Sequence, residues 1–120
     1  MYQVIKNNVI TIVKGDYIRF PVQLHAGKFS KWIEYELEDN DTAYFGLMYP
    51  NTAFDQAILK KVLTKKDTDE NGTLYVTLLP EDTIDLPSGI YYYEIKLLYT
   101  DENNVEHIDT VIQRSRFIIC

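Results

Sequence analysis

The segment with the best claim to chemistry is Asp67-Thr68-Asp69-Glu70-Asn71-Gly72. Oxygen-bearing side chains recur at alternate positions and glycine stands sixth. An EF-hand loop begins this way, with alternate side chains converging on a hard cation while glycine permits the sharp turn. The match then stops. The twelfth position is Leu78, where a bidentate glutamate is required, and Lys65-Lys66 precede the loop. A plain turn is the expectation. His25 and His107 are the two histidines, and Cys120 is the one cysteine. A zinc site needs more ligands than these provide. Ser30, Ser88 and Ser115 lack the strand–turn–helix setting of an activated serine. Glu34, Glu36 and Glu38 share one face of a strand. Paired carboxylates can cleave glycosides, but a strand face without a cleft reads as a solvated surface. There is no glycine-rich phosphate loop. The expectation is a non-catalytic protein with no catalytic, cofactor-binding or metal residues and no cofactor.

The elements around these residues alternate in polarity with period two, the mark of half-buried strands. Strands are expected at 9–13, 17–24, 32–38, 42–48, 56–63, 73–79, 90–100, 105–113 and 117–119, with a break at 114–116. Pro21 cannot donate to a ladder, so its strand belongs at an edge or carries a bulge. Residues 25–31 read as a loop around Gly27, and Glu38-Asp39-Asn40-Asp41 as a tight reversal. Pro80-Glu81-Asp82-Thr83 opens one turn of helix, because proline is tolerated at the first helical position. Ile84 and Leu86 are expected to plug one end of the core. Ile18, Phe20, Val22, Ile33, Tyr35, Leu37, Leu74, Val76, Ile95 and Leu97 are expected to line it. In the longest strand Tyr91, Tyr93, Ile95, Leu97 and Tyr99 share one face, and Tyr92, Glu94, Lys96 and Leu98 the other.

Seven to nine short strands must close around one core as two packed sheets or a barrel. The fold class read from the pattern is all-β, an immunoglobulin-like antiparallel β-sandwich forming a single domain over residues 1–120. The disulfide-plus-tryptophan pattern of antibody domains is absent, since one cysteine allows no internal bridge. A lone cysteine fits a reducing compartment. The formal charge of −6, from 18 acids and 12 bases, opposes binding to phosphate backbones, so no nucleic acid partner is expected. No apolar run reaches the ~18 residues of a membrane span, so no membrane partner is expected either. The first residues lack the basic and apolar stretches of a signal peptide. The ten tyrosines divide into core candidates (Tyr91, Tyr93, Tyr99) and outer-face candidates (Tyr17, Tyr44, Tyr75, Tyr92). Tyrosine is favoured at protein interfaces, where it offers large area and a polar tip.

Three segments carry a resemblance. Lys14-Gly15-Asp16-Tyr17 followed by Phe20, Val22 and Leu24 resembles the opening of small phage-encoded domains. Leu78-Leu79-Pro80-Glu81-Asp82-Thr83, Leu86-Pro87-Ser88-Gly89 and Tyr91-Tyr92-Tyr93-Glu94-Ile95 resemble their second signature. Asp109-Thr110-Val111-Ile112 with Phe117-Ile118-Ile119 resembles their ending. Such domains occur in tailed-phage and prophage structural regions, including the N-terminal domains of baseplate upper proteins. Two features differ: Arg114-Ser115-Arg116 stands where glycine is usual, and Asp101-Glu102-Asn103-Asn104 replaces an Asp-Gly turn. The resemblance implies a virion structural protein of the tail, baseplate, neck or head. Its partners would be virion proteins or a second copy of the chain, and its location the virion, or the host cytoplasm during assembly. The alternative is a carbohydrate-binding module built on Trp32 with Tyr17, Tyr44 or Tyr92.

Overall fold

The computed structural model describes the backbone at residues 3–6, 8–22, 25–28, 31–34, 37–100 and 103–120, and the side chains at 8–22, 37–100 and 103–120. The chain is nearly all β. In order it forms β1 (Gln3–Lys6), β2 (Val9–Ile12), β3 (Ile18–Val22), β4 (His25–Lys28), β5 (Lys31–Glu34), β6 (Thr42–Met48), β7 (Leu59–Leu63), β8 (Leu74–Leu78), the short helix α1 (Pro80–Thr83), β9 (Gly89–Thr100) and β10 (Glu106–Ile119). Six strands make one sheet in the order β1-β2-β10-β9-β6-β7, β3 pairs with β8, and β4 pairs with β5. The described pairings are antiparallel except one, β2 with β10, where Phe117, Ile118 and Ile119 run parallel to Ile10, Thr11 and Ile12.

The β3–β8 pair covers one face of the large sheet, and a single core lies between them. Alternation does the sorting. Along β9, Tyr91, Tyr93, Ile95, Leu97 and Tyr99 are buried while the residues between them are half-buried. Ile18, Phe20 and Val22 of β3 face inward with Leu74, Val76 and Leu78 of β8. Phe45 joins the two layers. Its ring lies 6.1 Å from that of Phe20, 5.9 Å from Tyr93 and 6.3 Å from Phe117, within the range of favourable aromatic contact. Of the expected core, Ile18, Phe20, Val22, Leu37, Leu74, Val76, Ile95 and Leu97 are buried. The side chains of Ile33 and Tyr35 lie outside the described residues.

Several local expectations change. Residues 25–28, read as loop, form β4, with His25 opposite Glu34 and Lys28 opposite Lys31. The glycine in that segment obscured its pairing. A further strand, β1, precedes β2. The strand expected from 56 begins at 59, because Phe54–Gln56 close a 3-10 turn through Ala53 and Phe54 carbonyls. The break expected at 114–116 is instead a pair of register shifts within one long strand, β10. Pro21 sits on β3 opposite Tyr75, in a strand whose one described partner is β8, as its missing N–H requires.

The reversal at 38–41 is closed by the Asp41 amide donating to the Glu38 carbonyl at 3.0 Å and the Glu38 amide donating to the Asp41 carboxylate at 2.9 Å. Helix α1 forms as expected, with proline at its start and Asp82 capping the Leu79 amide at 2.8 Å. Leu86 packs against the core, but Ile84 does not plug it: its side chain is 52% exposed. It leans instead on the turn at Gly15 (φ +80°), where an added Cβ would lie 2.7 Å from Ile84 Cδ1. The fully buried Thr83 next to it accepts the Gly15 amide through Oγ1 at 2.9 Å. Two segments 68 residues apart in sequence, the Lys14-Gly15-Asp16 turn and the Glu81-Asp82-Thr83 turn, are thus pinned together.

Candidate interaction surface

Asp67 and Asp69, the two aspartates of the acidic loop, are occupied by the fold. The Asp67 carboxylate accepts the Thr64 amide at 2.9 Å and caps the 3-10 turn Lys65–Asp67. Asp69 accepts the amides of Asn71 and Thr73 at 2.9 and 3.0 Å and the Tyr75 hydroxyl at 3.3 Å. The hydrogen bond from Thr73 does most to hold its carboxyl below the usual value near 3.8, against the opposing effect of desolvation; Asn71, Tyr75 and the charge of Arg19 add to the lowering. Both carboxylates therefore point onto their own turn. Among the described residues no cluster of three metal-ligating side chains forms.

The His107 ring stacks on Tyr99 at 5.1 Å. The side chain of His25 is outside the described residues, as are those of Ser30, Trp32, Glu34 and Glu36. Ser88 and Glu38 are exposed, and Ser115 donates to the Gln113 carbonyl at 2.7 Å. The described members of this set are not brought together.

Three tyrosines behave as core residues, each with a use for its hydroxyl. Tyr91 donates to the Pro87 carbonyl four residues upstream, a tyrosine corner formed without the disulfide that accompanies it in antibody domains. Tyr93 donates to the Asn8 carbonyl and Tyr99 to the Asp109 carboxylate. Burial pushes Tyr93 up to about 12 and raises Tyr91 as well, the latter helped by the charge of Tyr49. Tyr17 is half exposed, and Tyr44, Tyr75 and Tyr92 are half-buried. Two of these rings are already covered by guanidinium groups: Arg19 lies 3.5 Å from the Tyr75 centroid and Arg114 5.0 Å from that of Tyr92.

What the elements do assemble is the outer face of the large sheet. Pairing register sets three rows across it. One runs Val62, Tyr44, Lys96, Thr110 from β7 to β10; the second runs Lys60, Gly46, Glu94; the third runs Thr42, Leu98, Ile108. A sheet face that meets water ought to be polar. Here Val62 is 62% and Ile108 66% exposed, beside the half-buried Tyr44 and Leu98.

Glycine in the middle of β6 creates relief on this face. Phe54, on the 3-10 turn after β6, lies over Gly46, where an added Cβ would fall 2.6 Å from Phe54 Cε2. The Lys96 ammonium sits 5.2 Å from the Phe54 centroid and 4.0 Å from Glu94. Beside this raised ring is an open pocket of about 710 Å³ lined by Tyr44, Ala53, Phe54, Asp55, Glu94, Lys96, Leu98 and Ile108. Arg114 fixes its flank. It donates to the Thr52 carbonyl at 2.7 Å and the Tyr49 carbonyl at 3.3 Å, and lies 3.9 Å from Glu94. The sequence offered two signals for this surface, a glycine inside a strand and apolar residues at outward positions. No family model, no curated protein and no solved structure matches the chain.

Proposed function

We propose that this chain is a non-catalytic structural domain that works by docking the outer face of its large sheet onto another protein chain. The observation that carries the reading is the pair of largely exposed aliphatic side chains, Val62 and Ile108, flanking Tyr44 and Leu98 on an otherwise ordered sheet face. Aliphatic groups held in water on a rigid surface are a feature of docking sites. The short motif resemblance supports placing the partner in a phage virion. The fold reading that goes with it is immunoglobulin-like. Support comes from the order β2-β10-β9-β6-β7 with β2 parallel to β10, from the β3–β8 pair across the core, and from the tyrosine corner.

A sugar-binding reading finds less support, because stacking needs bare aromatic faces and that of Tyr92, one of its candidates, carries Arg114. The test is incorporation. The chain should be found by mass spectrometry in purified virions, and the double variant Val62→Asp, Ile108→Asp should be folded but missing from them. Absence of the wild-type chain from virions, or normal incorporation of the folded double variant, overturns the reading.

A further inference from the structure

The reading of the outer face as a docking surface can be carried one step further, to what docks there. We infer that the face pairs with its own copy about a two-fold axis that crosses the strands over Ile95. The inference rests on the proposed docking role of this face and names the partner.

A two-fold axis lying across the strands at Ile95 brings each strand over its own copy, with the row on one side of the axis facing the row on the other. Lys96 then lies over Glu94 of the second copy, and Glu94 over its Lys96. Both are outward residues of β9 with incomplete local pairing: the Lys96–Glu94 distance within one chain is 4.0 Å and the Arg114–Glu94 distance 3.9 Å, longer than charge-assisted hydrogen bonds of about 2.7–2.9 Å. The same operation sets Leu98 over Tyr92, since Met48, Tyr92 and Arg116 form the matching row on the far side.

Shape agrees with charge. Phe54 stands over Gly46, and Gly46 is the position that comes to face Tyr44 of the copy. The raised Phe54 and Asp55 of one chain therefore enter the pocket bordered by Tyr44, Lys96 and Leu98 of the other, and the reverse. Asp55 brings a second carboxylate towards Lys96 of the copy. An isologous contact needs this combination, a projection and a hollow on one patch with both signs of charge. The wider face keeps the balance, with Lys60, Lys96, Arg114 and Arg116 against Asp55, Glu94 and Glu106, in a chain of net charge −6. Facing sheets commonly rotate by about 30°, which displaces the rim but leaves the groups nearest the axis opposed.

The size of the patch sets the strength. Four strands at ~4.8 Å spacing and the seven residues of β6 at ~3.4 Å rise give a plane of roughly 19 by 24 Å. With side-chain relief this approaches the lower end of stable interfaces, so dissociation in the micromolar range is expected.

The test uses charge exchange, read by sedimentation velocity over about 5–200 μM, a range spanning that affinity. The wild-type chain should move from the 14.1 kDa monomer towards a dimer as concentration rises. Glu94→Lys and Lys96→Glu should each weaken association by about tenfold or more, since each places like charges across the axis. An equal mixture of the two variants should restore a dimer, because every crossing pair is then opposite in sign. Unchanged circular dichroism and melting keep the variants comparable. A wild-type chain that stays monomeric, single variants that dimerise normally, or a mixture that fails to recover overturns the inference. Virion incorporation of the Val62, Ile108 double variant is read separately, so failure of the dimer is distinguishable from failure of the docking face.

Discussion

Replacing Thr83 with valine isolates the pin between the two turns. Valine has nearly the same shape, so no cavity opens, and what is lost is the acceptor for the Gly15 amide at 2.9 Å. An orphaned buried donor costs about 1–3 kcal/mol. Thr83 is fully buried but Gly15 is only half-buried, so water reaches part of the orphaned amide and the lower half of that range applies, about 1–2 kcal/mol. For a domain of this size that lowers the melting temperature by roughly 3–10 °C. Urea denaturation followed by circular dichroism should show a lower midpoint with an unchanged slope, since the surface exposed on unfolding is the same. Hydrogen exchange supplies the local readout. The Gly15 amide should lose more protection than the amides of β9, which fall only with global stability. A neutral variant in which Gly15 stays protected would refute the reasoning, because it would mean that another group satisfies the amide.

Leu97 is fully buried at the centre of the core, so Leu97→Ala should cost about 2–5 kcal/mol by urea denaturation, and a cost near zero would show that the cavity collapses or the face is misassigned. The raised Tyr93 gives an alkaline signature: a folded value of about 12 against an ordinary 10.0 means that the unfolded chain ionises first. The stabilising effect is complete below pH 10 and is lost as pH climbs from there through about 12. Urea midpoints across that interval should fall less steeply for Tyr93→Phe than for the wild type, and equal slopes would contradict the assignment.

The parts of the fold that sequence makes legible are those where alternation runs uninterrupted. In β9 every second residue is apolar or aromatic, and burial follows it from Tyr91 to Tyr99. In β3 and β8 the same rule works, and Pro21 lies in a strand with one described partner. The reading weakens where backbone contacts outside a strand decide the outcome. Ile84 looks like a core residue by type, but one turn of helix ends at Thr83 and leaves Ile84 over Gly15 rather than over the core. The segment 25–28 carries no alternation strong enough to announce a strand, yet it pairs with β5. The parallel pairing of β2 with β10 lies beyond any local signal, because it joins residues more than a hundred positions apart. The acidic loop at 67–72 is the plain turn expected of it: ligand-like spacing is present, but the same oxygens serve the backbone amides of a tight turn.

Alternation says which residues share a face, but it cannot say what covers that face. Glu94 and Lys96 look like solvent-facing charges by their place in the alternation, yet both are half-buried, with side chains 17% and 30% exposed. Their setting changes through Gly46, whose missing side chain lets the Phe54 ring descend onto the sheet. That descent turns a flat polar face into a ridge beside a pocket, and it places an aromatic ring under the Lys96 ammonium. Glycine within a strand commonly marks such a close approach. One residue without a side chain, read together with an aromatic eight positions later, therefore carries more information about the surface than the charges around it.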